Sequence, residues 1–567
     1  MLGYNIKQKS NSNMKFDELT QEDKNYFKKV YYDKSIKWDE RIALLKEYAN
    51  VSRRTIQKWI SKLGLTEKEE AESPELLKAK ERRFNKNKRK FIVTWAQNNT
   101  PVHERFFNNL QEYANHLNAD IHVIAGRYKN PTSVFTDRTY DQWHDRVIPY
   151  LDAARHDLHK YLSIMSDVKI QPTAVNPMTG LEGMSGINSC VFGSPKVHLQ
   201  MIPVLEGCKP KMMLTTGACT VENYTDSKAG KKGEFHHTLG FVIVEIKDDE
   251  TFFIRQVTAD LDGSFIDLWN EVRFEGEKKE IAFESTTKRL QWTTENFGAK
   301  PFKWSGKSKV TRINKIDACV LGDLHYGKED KSVLAATHNL LSKIRPDHIV
   351  LHDVFDGDSI NHHERKDPFI QYQKEVKGTN SLKSEIEYLL NELAVFEEFD
   401  NVVIVRSNHD DFLDRWLKNE DWKKQPTAKN SLEYMEYSSM LLRQYAEDRV
   451  KGVIPEIINR RFPKYITLGR SDSYIVNDWE LAQHGDIGSG GSRGSIQQFR
   501  RLNTKIIVGH YHSPGRLDGA LAVGTSTGLR IGYNVGASNW LQSHVIIHKN
   551  GKAQHIHFID GEYTTLK

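Results

Sequence analysis

Short apolar runs that stop on an aspartate, histidine or asparagine recur through the second half of the chain. Ala318-Cys319-Val320-Leu321 leads into Asp323-Leu324-His325, and His348-Ile349-Val350-Leu351 leads into His352-Asp353-Val354-Phe355-Asp356. Val402-Val403-Ile404-Val405 precedes Ser407-Asn408-His409-Asp410, Trp479-Glu480-Leu481-Ala482 precedes His484-Gly485-Asp486, and Ile506-Ile507-Val508 precedes Gly509-His510-Tyr511-His512. Runs this short and this rich in β-branched residues predict buried strands, while stretches between them, such as residues 381–399, carry helical spacing. A layered α/β domain over 308–567 is the expectation, with five polar clusters brought to the ends of its strands. The domain closes on a predicted hairpin, Ser543-His544-Val545-Ile546-Ile547 and Gln554-His555-Ile556-His557 around Asn550-Gly551, whose histidines read as one face of the strands.

Upstream the pattern changes. Ile42, Leu44, Leu45 and Tyr48 form one helical face, and Ile56, Trp59, Ile60 and Leu63 form another. Ser52 is placed to cap the second helix and Gly64 to end it. Arg53, Arg54, Gln57 and Lys58 fall on the outer side of that helix, so residues 1–68 read as a helix-turn-helix region able to meet DNA, or as a plain helical hairpin. Residues 69–90 are nearly all charged and read as a solvated linker or helix ending in the basic run 82–90, which is either simply solvated or able to neutralise several phosphates of DNA. Residues 91–302 begin strand, helix, strand (91–95, 106–117, 121–126), contain a hairpin around Asp248-Asp249, and predict an α/β domain of unassigned role. Within it, His236-His237 read as structural or surface residues.

Composition narrows the partners. Residues 1–90 hold 23 Lys and Arg against 14 Asp and Glu, a net +9, so the rest of the chain carries −3 of the total +6. A basic excess confined to one end favours an acidic polymer, nucleic acid foremost. No apolar run reaches the ~20 residues of a membrane span, and the start lacks a signal peptide's apolar core, so a cytoplasmic protein without a membrane partner is expected. The four cysteines form no CxxC pair; they predict neither disulfides nor a thiolate zinc site, and read as buried free thiols. A homo-oligomer is compatible with all of this.

The clusters supply carboxylate, amide and imidazole ligands without thiolate, a set suited to Mn²⁺, Fe or Zn²⁺ and unsuited to Ca²⁺. Two such ions side by side can clamp the attacking and leaving oxygens of a displacement at phosphorus. In their order, Asp323-x-His325, Asp353-x-x-Asp356, Asn408-His409-Asp410, His484 and Gly509-His510-x-His512 resemble the five motifs of the calcineurin-like metallophosphoesterases. The resemblance covers roughly residues 315–560. It departs at His352 and Ser407, where that family usually has glycine. It implies a four-layer-type β-sandwich flanked by helices. It further implies that Asp323, His325 and His512 hold one divalent ion and Asn408, His484 and His510 the other, with Asp353 bridging. A bridging hydroxide then attacks phosphorus while His409 assists the leaving group, oriented by Asp410 or Asp356. Mn²⁺ is the foremost ion, with Mg²⁺, Fe or Zn²⁺ as alternatives.

The glycine-rich stretch after His484 brings Arg493 near, a contact suited to a phosphate. With the basic N-terminal region it directs the expectation to DNA, as in nucleases of the SbcD type. A narrower likeness, carried by the His-Gly-Asp glycine-rich stretch and by Asn99-Thr100-Pro101-Val102-His103, is to the pre-early host-DNA-degrading metallophosphoesterases of tailed phages, which would set the protein in an infected host's cytoplasm. The expected activity is thus a metal-dependent DNase. A phosphatase or nucleotidase on small phosphoesters, and a non-catalytic DNA-binding regulator, are the alternatives.

Overall fold

The computed structural model describes residues 14–33, 38–65, 73–128, 130, 142–280, 302–421, 423, 429–532 and 534–566. They divide into two compact units, one formed by Met1–Pro74 with Asp137–Asp141, the other by Glu75–Thr136 with Gln142–Lys567. Residues 1–13 and 66–72, part of the expected helix-turn-helix region and linker, lie outside the described residues, as does 281–301.

Among the described residues the N-terminal unit contains three α-helices, Gln21–Tyr32, Trp38–Ala49 and Arg53–Lys62. Phe27, Val30, Ile42, Leu45, Ile56 and Trp59 bury against one another as its core. Ser52 caps the third helix by accepting from the Thr55 amide, and Asn50 (φ 49°) makes the tight turn before it. The first helix begins with a capping box, Thr20 and Asp23 bonding each other's backbone amides, a signal that is present in the sequence.

The second unit is mixed α/β, with several sheets. A six-stranded sheet runs in the order Ile466–Leu468, Asn401–Val405, His348–His352, Ala318–Val320, Ser543–Ile547, Ala553–His557. The first four are parallel and the last pair is the expected antiparallel hairpin. Alternate residues of these strands enter different cores. Cys319, Leu321, Ile349, Leu351, Val402 and Ile404 pack beneath helices such as Lys331–Ile344 and Leu382–Leu393. Val320, Val350, Val403, Val545 and Ile547 pack against Ile507, Leu521 and Val523 of a second sheet. Burial on both faces is why these strands read as unbroken apolar runs rather than alternating ones.

That second sheet has ten strands and crosses the expected boundary near residue 302. Its order is Ile475–Val476, Trp479–Glu480, Lys505–Val508, Ala520–Ala522, Gly515–Leu517, Leu199–Ile202, Lys211–Thr215, Ser189–Phe192, Leu162–Met165, Arg155–His159. The junction is the pairing of Arg516 with Leu199. A five-stranded sheet built on the parallel pair Lys90–Gln97 and Asp120–Gly126, with helix Glu104–Leu117 between them, completes the upstream half. Its hairpin around Asp248-Asp249 forms as expected, Gly240–Ile246 pairing with Phe252–Thr258. Asn270–Glu280 and Phe302–Arg312 form a long antiparallel ribbon.

Buried polar contacts tie the halves together. Arg255 is 2% exposed and forks onto Asp267 at 2.6 and 2.7 Å while also pairing with Glu245. Tyr113 and Gln554 donate to the same Asp267, and Thr565 near the C-terminus donates its amide to Glu245 at 2.6 Å. The described residues between 91 and 280 therefore belong to one folded body with the ligand-bearing half.

Residues 75–90 of the charged stretch are held in this unit. Pro74–Glu81 is helical, with Leu76 and Ala79 buried against the upstream core. Cys190, Cys219 and Cys319 are buried free thiols, but Cys208, on a loop, is exposed. Among the described residues no helix is long and apolar enough to cross a membrane.

Candidate metal centre

Parallel pairing aligns Ala318 with His348 and His348 with Asn401, so three of the clusters leave one edge of the six-stranded sheet together. The segments carrying His484, His510 and His512 leave the facing sheet, where Trp479–Glu480 and Lys505–Val508 are also parallel. Polar groups at the carboxyl ends of parallel strands converge on one crevice.

The turns are tight. His325, Asp353, His510 and His512 have φ of 43°, 47°, 74° and 55°. Left-handed backbone in non-glycine residues costs about 1–3 kcal/mol each and concentrates at functional sites. Gly509 shows how close the segments approach, since a Cβ there would lie 2.3 Å from Asp323 Oδ1.

Seven ligand-type side chains meet in this crevice. His325 Nε2 lies 3.1 Å from His512 Nε2 and 3.3 Å from Asp353 Oδ2, and His512 Nε2 lies 3.3 Å from Asp323 Oδ2. On the other side of Asp353, the same Oδ2 is 3.1 Å from His484 Nε2, and His510 Nδ1 is 3.1 Å from Asn408 Oδ1. The rings of His484 and His510 are 5.4 Å apart. Asp353 thus faces both sets. His325, Asp353 and His512 are disposed to hold a metal ion, as are Asp323, His352 and His484.

The polar atoms here are incompletely satisfied by protein. Asp323 is fully buried with neither oxygen hydrogen-bonded; Asp353 Oδ1 and His512 Nδ1 are likewise without a hydrogen bond. Buried polar atoms are normally paired, and a set left open on one side is the condition a cation would relieve. The charge balance tells the same story. Burial, with the neighbouring Asp353, pushes the Asp323 carboxyl up to about 7, while His484 and His325 oppose it. Burial also acts against ionisation of Asp353, but His484 and His325 outweigh it and hold that carboxyl well below its usual range. Burial would lower His325, yet Asp353 and Asp356 raise it to about 10.

The three residues expected to act beside the ligands are placed differently from one another. His409 is stacked on Phe412, and its Nδ1 lies 2.6 Å from the Asp356 carbonyl, to which Nδ1–H donates. Asp356 holds His325 through Oδ1 and Nδ1 at 3.0 Å, orienting a ligand-type ring. Asp410 does not orient His409. Its carboxylate turns back at the start of helix Asp410–Asn419 to accept from the Ser407 amide at 2.9 Å, and burial raises it to about 7.

His352 is a member of the crevice that strand-end reasoning passed over as a backbone departure. Its Nδ1 is 3.4 Å from His484 Nδ1, and burial and His484 push it down to about 3. Arg470 was invisible to motif reading. It bridges the residues that follow two clusters, donating to Asp411 at 2.7 Å and Asp486 at 2.8 Å, while Arg406 donates to Asp411 at 2.9 Å. Only the residue after each motif, Asp411 or Asp486, could have hinted at such a tie.

Arg493 is exposed in a loop folded back on itself, where Gly488 donates to the Ser492 carbonyl at 2.7 Å and Gly494 to that of Asp486 at 2.8 Å. Arg53, Arg54, Gln57 and Lys58 are exposed on the third helix of the N-terminal unit. His237 is satisfied by Tyr224 and the Thr220 carbonyl, and His236 faces Asp518 at 3.2 Å.

Compared with known proteins, the chain is 28% identical over 554 residues to Protein A1 of Escherichia phage T5, an alignment covering 94% of this chain and 87% of that one. No family model matches, and no solved structure matches.

Proposed function

We propose that the chain is a metal-dependent phosphodiesterase of the calcineurin-like kind, acting on DNA. The observation that carries this reading is the convergence of Asp323, His325, Asp353, Asn408, His484, His510 and His512 in one crevice with buried oxygens and nitrogens left unpaired. The six-stranded sheet, covered by helices on one face and packed on a second sheet by the other, supports this reading. Asp323, His325 and His512 would hold one divalent ion, and Asn408, His484 and His510 the other, with Asp353 shared. Such ions supply charge neutralisation and activation of water at a phosphoryl group.

The chain's own residues do the rest. Asp356 keeps His325 turned toward the crevice. The Asp356 carbonyl accepts from His409 Nδ1–H, so His409 would protonate the leaving oxygen from Nε2 in its imidazolium form and be left neutral with its proton on Nδ1. DNA as the substrate is supported by the exposed basic face of the third N-terminal helix and by Arg493. A relative in a phage supports a setting in an infected bacterium, and Mn²⁺ is the foremost ion.

The test is incubation of the full chain with plasmid and with bis(p-nitrophenyl) phosphate, in Mn²⁺ and in EDTA. Plasmid breakdown in Mn²⁺ that EDTA abolishes is expected. Hydrolysis of the small ester with plasmid left intact at low salt would replace the DNase reading with a small-phosphoester hydrolase, and no hydrolysis of either with any divalent ion would remove both.

A further inference from the structure

The basic run 82–90 is a fixed structure in the second unit. Arg82 is pinned by donating to the carbonyls of Pro149 and Ile121, the latter at 3.0 Å. Phe84 lies on His122 with ring centroids 3.8 Å apart and meets the edges of Phe91 and His156. A turn from Asn85 to Lys88 follows, closed by the Lys88 amide on the Asn85 carbonyl at 3.0 Å, and the Arg89 carbonyl accepts from Ile246 at 2.7 Å.

Beneath this segment a buried relay makes a firm floor. His122 sits between Asp120 and Asp152 at 3.1 and 3.3 Å, and His156 meets Asp152 at 2.9 Å. Above it opens a cavity of about 840 Å³ lined by Arg83, Lys86, Lys88, Arg89, Arg155 and Lys160, with Asp157 and Asp249 as its only carboxylates. Arg155 and Lys160 are paired with Asp167 and Glu250. Arg83, Lys86, Lys88 and Arg89 form no ion pair among the described residues; Arg83 and Lys88 bond only to the Arg82 carbonyl and to Asn118. Four cations without an ion pair of their own, held over an aromatic floor, suit the sugar–phosphate backbone of a nucleic acid.

The cavity is remote from the metal centre. Arg155–His159 ends the ten-stranded sheet, seven strand steps from Lys505–Val508, which leads into His510. At about 4.8 Å per step the sheet path is at most roughly 34 Å, and at 3.4 Å per base pair a duplex of about ten base pairs covers it.

We propose that this cavity is a second DNA contact, an exosite that holds the backbone of the substrate within about one helical turn of the bond being cut. It rests on the DNase reading for the identity of the ligand. Lys86 and Arg89 are exposed, so Lys86→Glu with Arg89→Glu tests it without touching the core. Binding is read by fluorescence anisotropy in EDTA, with the full chain and a duplex of about thirty base pairs over a series of salt concentrations.

The double charge reversal is expected to weaken binding by at least about tenfold and to make the salt slope shallower by about two. Lys86→Gln with Arg89→Gln is expected to give a smaller loss in the same direction. The reversal is expected to have little effect on duplexes much shorter than ten base pairs, and to leave Mn²⁺-dependent hydrolysis of bis(p-nitrophenyl) phosphate unchanged. Unaltered affinity and slope overturn the exosite even if plasmid is cleaved. Polyglutamate competing as strongly as DNA of equal charge overturns it in favour of an acidic protein partner. Lost binding in a chain that cleaves no plasmid supports the cavity while removing the DNase reading.

Discussion

Two buried clusters of charge in the second unit solve the same problem in opposite ways. Around Arg255 every charge has its complement: Asp267 takes the guanidinium fork, Glu245 takes the remaining edge, and Tyr113, Gln554 and Thr565 fill the carboxylate oxygens. Around Asp353 carboxylates and imidazoles crowd within about a hydrogen-bond length, yet both Asp323 oxygens, Asp353 Oδ1 and His512 Nδ1 make no hydrogen bond. Burial penalises both clusters. The Arg255 cluster closes on itself, whereas the one around Asp353 is left open in the way a bound cation would complete. The backbone agrees, since His325, Asp353, His510 and His512 are left-handed and Arg255 lies in regular strand.

Substitution should separate the two. Asp353→Asn is expected to reduce plasmid cleavage to the EDTA background while changing the stability of the metal-free chain by no more than about 1 kcal/mol, read by urea unfolding. On the proposed reading, in which His409 assists the leaving oxygen and holds no ion, His409→Ala should lower kcat about 10²–10⁴-fold at constant metal content. Arg255→Met inverts the pattern: leaving Glu245 and Asp267 buried without their cation should cost about 3–5 kcal/mol in unfolding free energy. Arg470→Gln loosens the tie between the Asn408 and His484 segments, and a loss of about 10–100-fold in activity or metal affinity is expected.

The smallest effect is in pH. Burial would raise Glu245, but Arg255 and Thr565 outweigh it and hold it down to about 2 from its ordinary 4.5. A depressed carboxylate lends stability that is complete above the unfolded value and is lost as pH falls through the folded one. Stability at this residue should therefore fall between about pH 4.5 and 2, and Glu245→Gln should flatten that part of the acid-unfolding curve.

The metal crevice was legible in sequence because its strands are buried on both faces. Val320, Val350, Val403 and Ile507 extend the apolar signal to the residue at which each turn begins, so the ligand clusters stand out at the ends. What lay beyond reading was set by contacts distant in sequence. Nothing near Leu199 announces that it pairs with Arg516, and so the ten-stranded sheet appeared as two domains. Arg470 and His352 act on neighbours 16 and 132 residues away. The first N-terminal helix, by contrast, carried a readable sign in Thr20 and Asp23, hidden by a weak apolar face. The run 82–90 looked solvated because charge dominates its composition, while the anchors that fix it, Arg82 on Ile121 and Phe84 on His122, are tertiary.

The most direct test is the number of Mn²⁺ ions bound per chain, measured by equilibrium dialysis with elemental analysis. Two ions are predicted for the unaltered protein, with both sites weakened together in Asp353→Ala because that carboxylate faces both sets. Fewer than two ions at saturation, or two retained undiminished in Asp353→Ala, would contradict the account.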